Sequence, residues 1–152
     1  MRNDTVKGKK YSLRLLAARS RSECEIKSRL LKAGYADAVS ENIVGALKKE
    51  KILDDARFAS EWIDSRLDFS PRAAEVIRAE LEEKGVSDDT IQQVFLEKSK
   101  QLDNRTIALN LVKDKVSLEK ALSGEKLRVK VFRFLVSRGF DVDFSEEIVE
   151  GI

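Results

Sequence analysis

The chain has 152 residues, 37% of them charged and 42% hydrophobic, with one Pro, one Cys and no His. With Cys24 alone and no imidazole, a Cys/His zinc site, a His-based acid/base pair and an intramolecular disulfide are excluded. The formal net charge of +2 is unevenly laid down: residues 1–36 carry ten Lys/Arg against three Asp/Glu, residues 37–100 ten against fifteen, and residues 101–152 nine against nine, an asymmetry that hints at a polyanionic partner.

Apolar spacing supports helix almost everywhere, and the single Pro leaves long patterns unbroken. A first helix is predicted over about 12–20, with Leu13, Leu16 and Ala17 on one face. Ser22-Glu23-Cys24-Glu25 is a capping-box pattern, so a second helix starts there, buries Ile26, Leu30 and Ala33, and ends at Gly34. A third follows Ser40, apolar at Ile43, Val44 and Leu47 and basic at its end through Lys48 and Lys49. Asp54 and Asp55 open a fourth, carrying Phe58, Ala59, Trp62, Ile63 and Leu67. Ser70-Pro71 reads as an N-cap followed by a first helical residue, so a fifth buries Ala74, Ile77 and Leu81 and stops at Gly85. Ser87-Asp88-Asp89 opens the sixth, with Ile91, Val94 and Phe95 inward. The seventh runs from Asn104 through Ile107, Ala108, Leu111 and Val112, and the eighth covers 125–138. Ser145-Glu146-Glu147 caps a short ninth helix that holds Ile148 and Ile152.

Residues 127–131 alternate apolar and basic as a half-exposed strand would. The alternation fails at Phe132, no second strand exists to pair with it, and Leu127, Val131, Phe134 and Leu135 share one helical face, so helix is preferred. Leu30, Leu81 and Leu135 each stand four residues before a glycine, and those glycines lie 51 and 54 residues apart. That period predicts three tandem three-helix repeats, over 1–51, 52–101 and 102–152.

Chemistry-bearing constellations are poor. Neither a G-x-x-x-x-G-K-[ST] cradle nor a G-x-G-x-x-G turn is present. The acid pairs Asp54/Asp55, Asp88/Asp89 and Glu146/Glu147 fall where helix starts favour negative charge, and Glu82/Glu83 on a helix surface. Cys24 sits between two acids that oppose a lowered thiol pKa. Trp62 and Phe58, one turn apart, read as core, with base stacking the lesser alternative. No catalytic residue, metal ligand or cofactor is expected. The basic residues are the main functional signal. Lys126, Lys130 and Arg133 form a stripe about 10 Å long on the eighth helix, with Arg128 and Arg138 in the same acid-free run. Lys7, Lys9, Lys10, Arg14, Arg19, Arg21, Lys27, Arg29 and Lys32 form a second cluster. No RNA-binding aromatic signature accompanies them, so any nucleic-acid contact is expected at the backbone. With no signal-peptide-like apolar region and no apolar run of about 18 residues, a cytoplasmic protein without a membrane partner is expected.

Three stretches resemble the bacterial RecX regulatory proteins, which modulate the RecA recombinase. They are Arg19-Ser20-Arg21-Ser22-Glu23-Cys24-Glu25-Ile26 running to Leu30; Leu53-Asp54-Asp55-Ala56-Arg57-Phe58-Ala59 continuing through Arg66 to Glu80-Leu81-Glu82-Glu83-Lys84-Gly85-Val86; and Glu125-Lys126-Leu127 with Arg133-Phe134-Leu135 and Arg138-Gly139-Phe140. Ser70-Pro71 departs from the Gly common in the family at that point. The resemblance implies an all-α protein of three tandem three-helix repeats in an elongated, curved array, without enzymatic activity; a monomer is expected. It implies binding to the RecA–DNA filament and a mainly inhibitory effect on filament extension, ATP hydrolysis and strand exchange. Arg57 and Arg66 match motif positions, and with Arg19, Arg21, Lys27, Lys126, Arg128, Lys130, Arg133 and Arg138 they are the candidate contacts to RecA or to DNA phosphates, the latter weak or indirect. A stand-alone DNA-binding module and a helical adaptor for another protein are the alternatives.

Overall fold

The computed structural model describes residues 2–152. Among the described residues there are nine helices and no strand: α1 Arg2–Ala18, α2 Glu23–Lys32, α3 Asp37–Lys49, α4 Asp55–Phe69, α5 Ala74–Glu83, α6 Asp88–Glu97, α7 Asn104–Leu118, α8 Gly124–Ser137 and α9 Val142–Glu150. The all-α class is as expected, and residues 127–131 are helical. The chain divides into two compact units, one comprising residues up to Glu61 with Leu81–Val94, the other Trp62–Glu80 with Phe95–Ile152.

In the first unit Ile26, Leu30, Ile43, Leu47 and Leu53 form the buried centre, with Tyr11, Leu15, Leu16, Tyr35 and Val39 packed against it. α1 begins ten residues earlier than the apolar pattern indicates, because its buried line is made by small residues: Gly8 and Ser12 face inward, and a Cβ on Gly8 would strike Ile43 Cδ1. The helix is accordingly rotated from the expected face, leaving Leu13 and Ala17 exposed. The capping box of α2 forms as read: Ser22 Oγ accepts from the Glu25 N–H at 3.1 Å, and Glu25 Oε1 accepts from the Ser22 N–H at 3.1 Å. Ala33, expected inside, is exposed. α3 starts at Asp37 rather than after Ser40; Ala36 is its N-cap, without a side-chain hydrogen bond. Ser40 lies a turn inside, fully buried, its N–H bonded to the Ala36 carbonyl. The earlier start adds a first turn while keeping Ile43 and Leu47 in the core.

The start of α2 joins four parts of this unit. Ser22 Oγ donates to the Lys84 carbonyl at 2.6 Å, and the Glu23 N–H donates to Asp55 Oδ1 at 2.9 Å. Glu25 is pulled two ways. Burial pushes its carboxyl up, but the Ser22 N–H, Arg19 and Lys84 together hold it below the usual carboxylate range.

In the second unit the centre comprises Ala73, Ile107, Ala108, Leu111, Val112, Val131, Leu135, Phe140, Ile148 and Val149. α5 starts at Ala74, not at Pro71. Its entry is held by distant groups: the Ala73 N–H donates to the Arg138 carbonyl at 3.0 Å and the Ala74 N–H to Asn104 Oδ1 at 2.8 Å. Asn104 Nδ2 donates in turn to Glu75. Ser70 is therefore not the cap of α5. Gly139 follows α8 at φ 91°, a left-handed conformation, and a Cβ there would meet Val76 Cγ2. α9 begins at Val142 with Asp141 as N-cap, so Ser145, fully buried, lies within the helix rather than capping it. Ile148 is buried as expected, but Ile152 lies past the helix end and is 37% exposed.

Burial and the neighbouring Glu23 carboxyl raise the Asp55 pKa to about 6. A carboxyl that binds its proton more tightly in the folded chain stabilises the fold fully below the unfolded pKa of about 3.9, and that contribution is lost as pH rises through about 6. Asp55→Asn keeps an acceptor for the Glu23 N–H without the charge. It should melt above the parent at about pH 7.5, with the difference disappearing toward about pH 4. Asn104→Ala removes the cap of α5 and should cost about 1 kcal/mol, read as a lower urea midpoint at unchanged slope.

Candidate partner-binding surface

The ten candidate cations divide by what already holds them. Arg19 Nη2 is 3.0 Å from Glu25 Oε2. Arg21 Nε donates to the Leu15 carbonyl at 3.3 Å. Lys27 sits 3.0 Å from Glu41 and 3.5 Å from Asp37. Arg57 donates to the Ile52 carbonyl at 2.9 Å and to the Lys51 carbonyl at 3.3 Å, closing the turn after α3, where Lys51 has a φ of 60°. Asp54 Oδ1 accepts from the Arg57 N–H at 3.1 Å and so caps α4.

Arg66 makes the most enclosed of these arrangements. Its Nε and Nη2 reach the two oxygens of Glu80 at 3.0 and 2.8 Å, a bidentate fork, and its guanidinium lies 4.6 Å from the centre of the Trp62 ring. Trp62 Nε1 donates to the same Glu80 at 3.3 Å. Trp62 is thus packed beneath a cation rather than presented as a stacking platform. Arg72, which the sequence did not single out, completes the group: Nη1 is 3.3 Å from Glu80 Oε2 and Nη2 is 2.6 Å from Ser70 Oγ. Arg138 Nη1 donates to the same hydroxyl at 3.3 Å, and its guanidinium lies 5.1 Å from the Phe134 ring. Lys115 lies 4.9 Å from that ring. No local spacing announces Arg72 or Glu80, because the gathering carboxylate lies on α5 while Arg66 and Trp62 lie on α4 and Arg72 in the turn between.

On α8 the outer face remains open. Lys130 Nζ is 2.8 Å from Glu119, which also takes Lys115 at 3.3 Å; the Lys130 bond leads in holding the Glu119 carboxyl below its ordinary range. Arg128 turns to the Ile152 carbonyl at 3.3 Å and lies 3.9 Å from Glu125. Lys126 and Arg133 are exposed and make no ion pair among the described residues. The stripe of three cations is therefore present in space, but one of its members is already neutralised.

Two shallow cavities border this face. One, of about 570 Å³, lies between α8 and α9 and is lined by Glu125, Arg128, Val129, Phe132, Glu146, Val149 and Glu150. The other, of about 420 Å³, is lined by Leu122, Glu125, Lys126, Val129, Lys130 and Arg133. Among the described residues no group of three or more His, Cys, Asp or Glu is placed to hold a metal ion, and no helix is long and apolar enough to cross a membrane. Cys24 is exposed at the start of α2.

The model for the first three-helix domain of RecX matches residues 9–47, and that for the second matches residues 54–94. Regulatory protein RecX of Mycobacterium avium is 34% identical over 141 residues, covering 90% of this chain and 79% of its own length. That of Mycolicibacterium smegmatis is 32% identical over 145 residues, covering 93% and 77%. The crystal structure of RecX from Lactobacillus salivarius superposes with a TM-score of 0.78 over 99% of this chain and 97% of its own, at 18% identity, a likeness of fold.

Proposed function

The chain belongs to the RecX family of regulatory proteins, and from that premise we propose that it binds the RecA–DNA filament and lowers RecA activity in recombination and repair, restraining filament extension, ATP hydrolysis and strand exchange. The observation that carries this reading is the match to both three-helix domain models together with identity above 30% over nine-tenths of the chain. The protein acts by occupying a surface, as a non-enzymatic cytoplasmic monomer whose helices form three successive three-helix repeats. The exposed cations Lys126 and Arg133, with the basic residues of α1, supply electrostatic steering toward an acidic partner or nearby phosphates.

A stand-alone DNA-binding module is the second reading, favoured by one observation: Lys126 and Arg133 are without ion pairs on an open helix face. It requires affinity for naked DNA, with a steep salt slope, to account for any effect.

Stoichiometric addition of the purified protein to RecA on single-stranded DNA should slow ATP hydrolysis. The effect should weaken as salt rises from about 0.1 M, where the Debye length is about 10 Å, to about 1 M, where it is about 3 Å. An ATPase rate untouched at the lower salt would rule the regulatory reading out.

A further inference from the structure

The outer face of α8 has two unlike edges. With about 100° of turn per residue, Lys126 and Arg133 fall to one side of Val129, while Phe132 falls to the other, toward α9. Val129 and Val136, 38% and 37% exposed, run along the centre line. The α9 side is a cavity with an apolar floor of Val129, Phe132 and Val149 and an acidic rim of Glu125, Glu146 and Glu150. Its single cation, Arg128, is turned to the Ile152 carbonyl. The opposite side is the smaller cavity edged by Lys126, Lys130 and Arg133, with Glu125 common to both cavities at the start of α8, and with Lys130 held by Glu119. From Lys126 to Val136 the face extends about 15 Å, nearly three helical turns.

This arrangement offers a nucleic-acid strand cations along one edge only. Carboxylates border the same apolar strip on the other side, so a duplex or single strand seated on Val129 would meet repulsion along that edge. An apolar line between an acidic and a basic edge is instead complementary to an amphipathic helix bearing opposite edges. We propose that the outer face of α8, with the α9 edge, seats one α-helix of the filament's protein component, its apolar stripe on Val129 and Phe132, its acidic edge along Lys126 and Arg133, and its Lys/Arg edge along Glu146 and Glu150. The assignment rests on the filament-binding reading and names the chemistry by which this face takes part in it.

The two edges make the test. Full-length protein is titrated against RecA–single-stranded DNA filaments and, in parallel, against naked single-stranded DNA. The variants are Glu146→Lys with Glu150→Lys, Lys126→Glu with Arg133→Glu, and Val129→Asp. The four charged residues are exposed, so their reversal leaves the fold intact, and circular dichroism melting checks it. A seated helix requires all three variants to weaken filament binding by about tenfold or more, with Val129→Asp leaving DNA affinity unchanged. If the Glu→Lys pair tightens filament binding or leaves it as it was while the parent binds, the helix seat is overturned and a phosphate track takes its place. A free-chain dimer broken by the same reversals would make a second copy the occupant and also overturn it. A parent protein that does not bind filaments would instead remove the reading on which the seat depends.

Discussion

An α-helix begins with N–H groups that its own backbone cannot satisfy and ends with carbonyls in the same condition. In this chain those groups are what tie distant segments together. The start of α2 takes an oxygen from Asp55, thirty-two residues on. The start of α5 takes an oxygen from Asn104, at the first residue of α7, and the Arg138 carbonyl just past α8. The centres of the two units are ordinary aliphatic packing, but these bonds place the ends of the helices that deliver it. Glu25 adds a longer-range tie, pairing with Arg19 just before α2 and with Lys84 just past α5, while Glu80 joins α5 to Arg66 of the preceding helix and to Arg72 of the turn between them.

The same economy governs the cations. In the basic head Lys9, Arg19 and Lys27 have acidic partners within their own unit, and farther along the chain Arg57, Arg66 and Arg138 are likewise held within theirs. A guanidinium shared between a carboxylate and an aromatic ring, as in Arg66 with Glu80 and Trp62, is held in place and half withdrawn from solvent. What remains for an outside partner is a smaller set, on helix faces where no acid lies within reach. The ion pairs are partly exposed and each contributes little to stability; their effect is to decide which charges are left over.

Much of the architecture was legible because the signals were local. The Ser22–Glu25 box spans four residues and formed as written, and the inward positions of α6, α7 and α8, with Ile26 and Leu30 of α2, follow from spacing alone. Ser40, Ser70 and Ser145 show where such reasoning fails. Each is compatible with a helix start, but compatibility does not choose among nearby starts. Tertiary packing favoured Asp37 and Val142 as first residues, and at α5 a side chain from α7 made the local cap unnecessary. The length of α1 was hidden for a related reason: its inward line is Gly8 and Ser12, which no apolar periodicity registers. On the surface, the stripe of Lys126, Lys130 and Arg133 was legible as a pattern, whereas the loss of Lys130 to Glu119 and the acidic edge contributed by α9 depend on how α7, α8 and α9 pack together.

Ser22 shows how narrow a position can become when it serves two helices. Its hydroxyl accepts from the Glu25 N–H and donates to the carbonyl of Lys84, just beyond α5. Ser, Thr, Asp and Asn are near-equivalent helix caps in general, but an ionised Asp has no proton to give. At this position it would cap α2 well and set a negative oxygen against the Lys84 carbonyl. The general cap preference is therefore cut down here to side chains that carry a proton to donate as well as an oxygen to accept, and the ionised Asp is the cap this position cannot use.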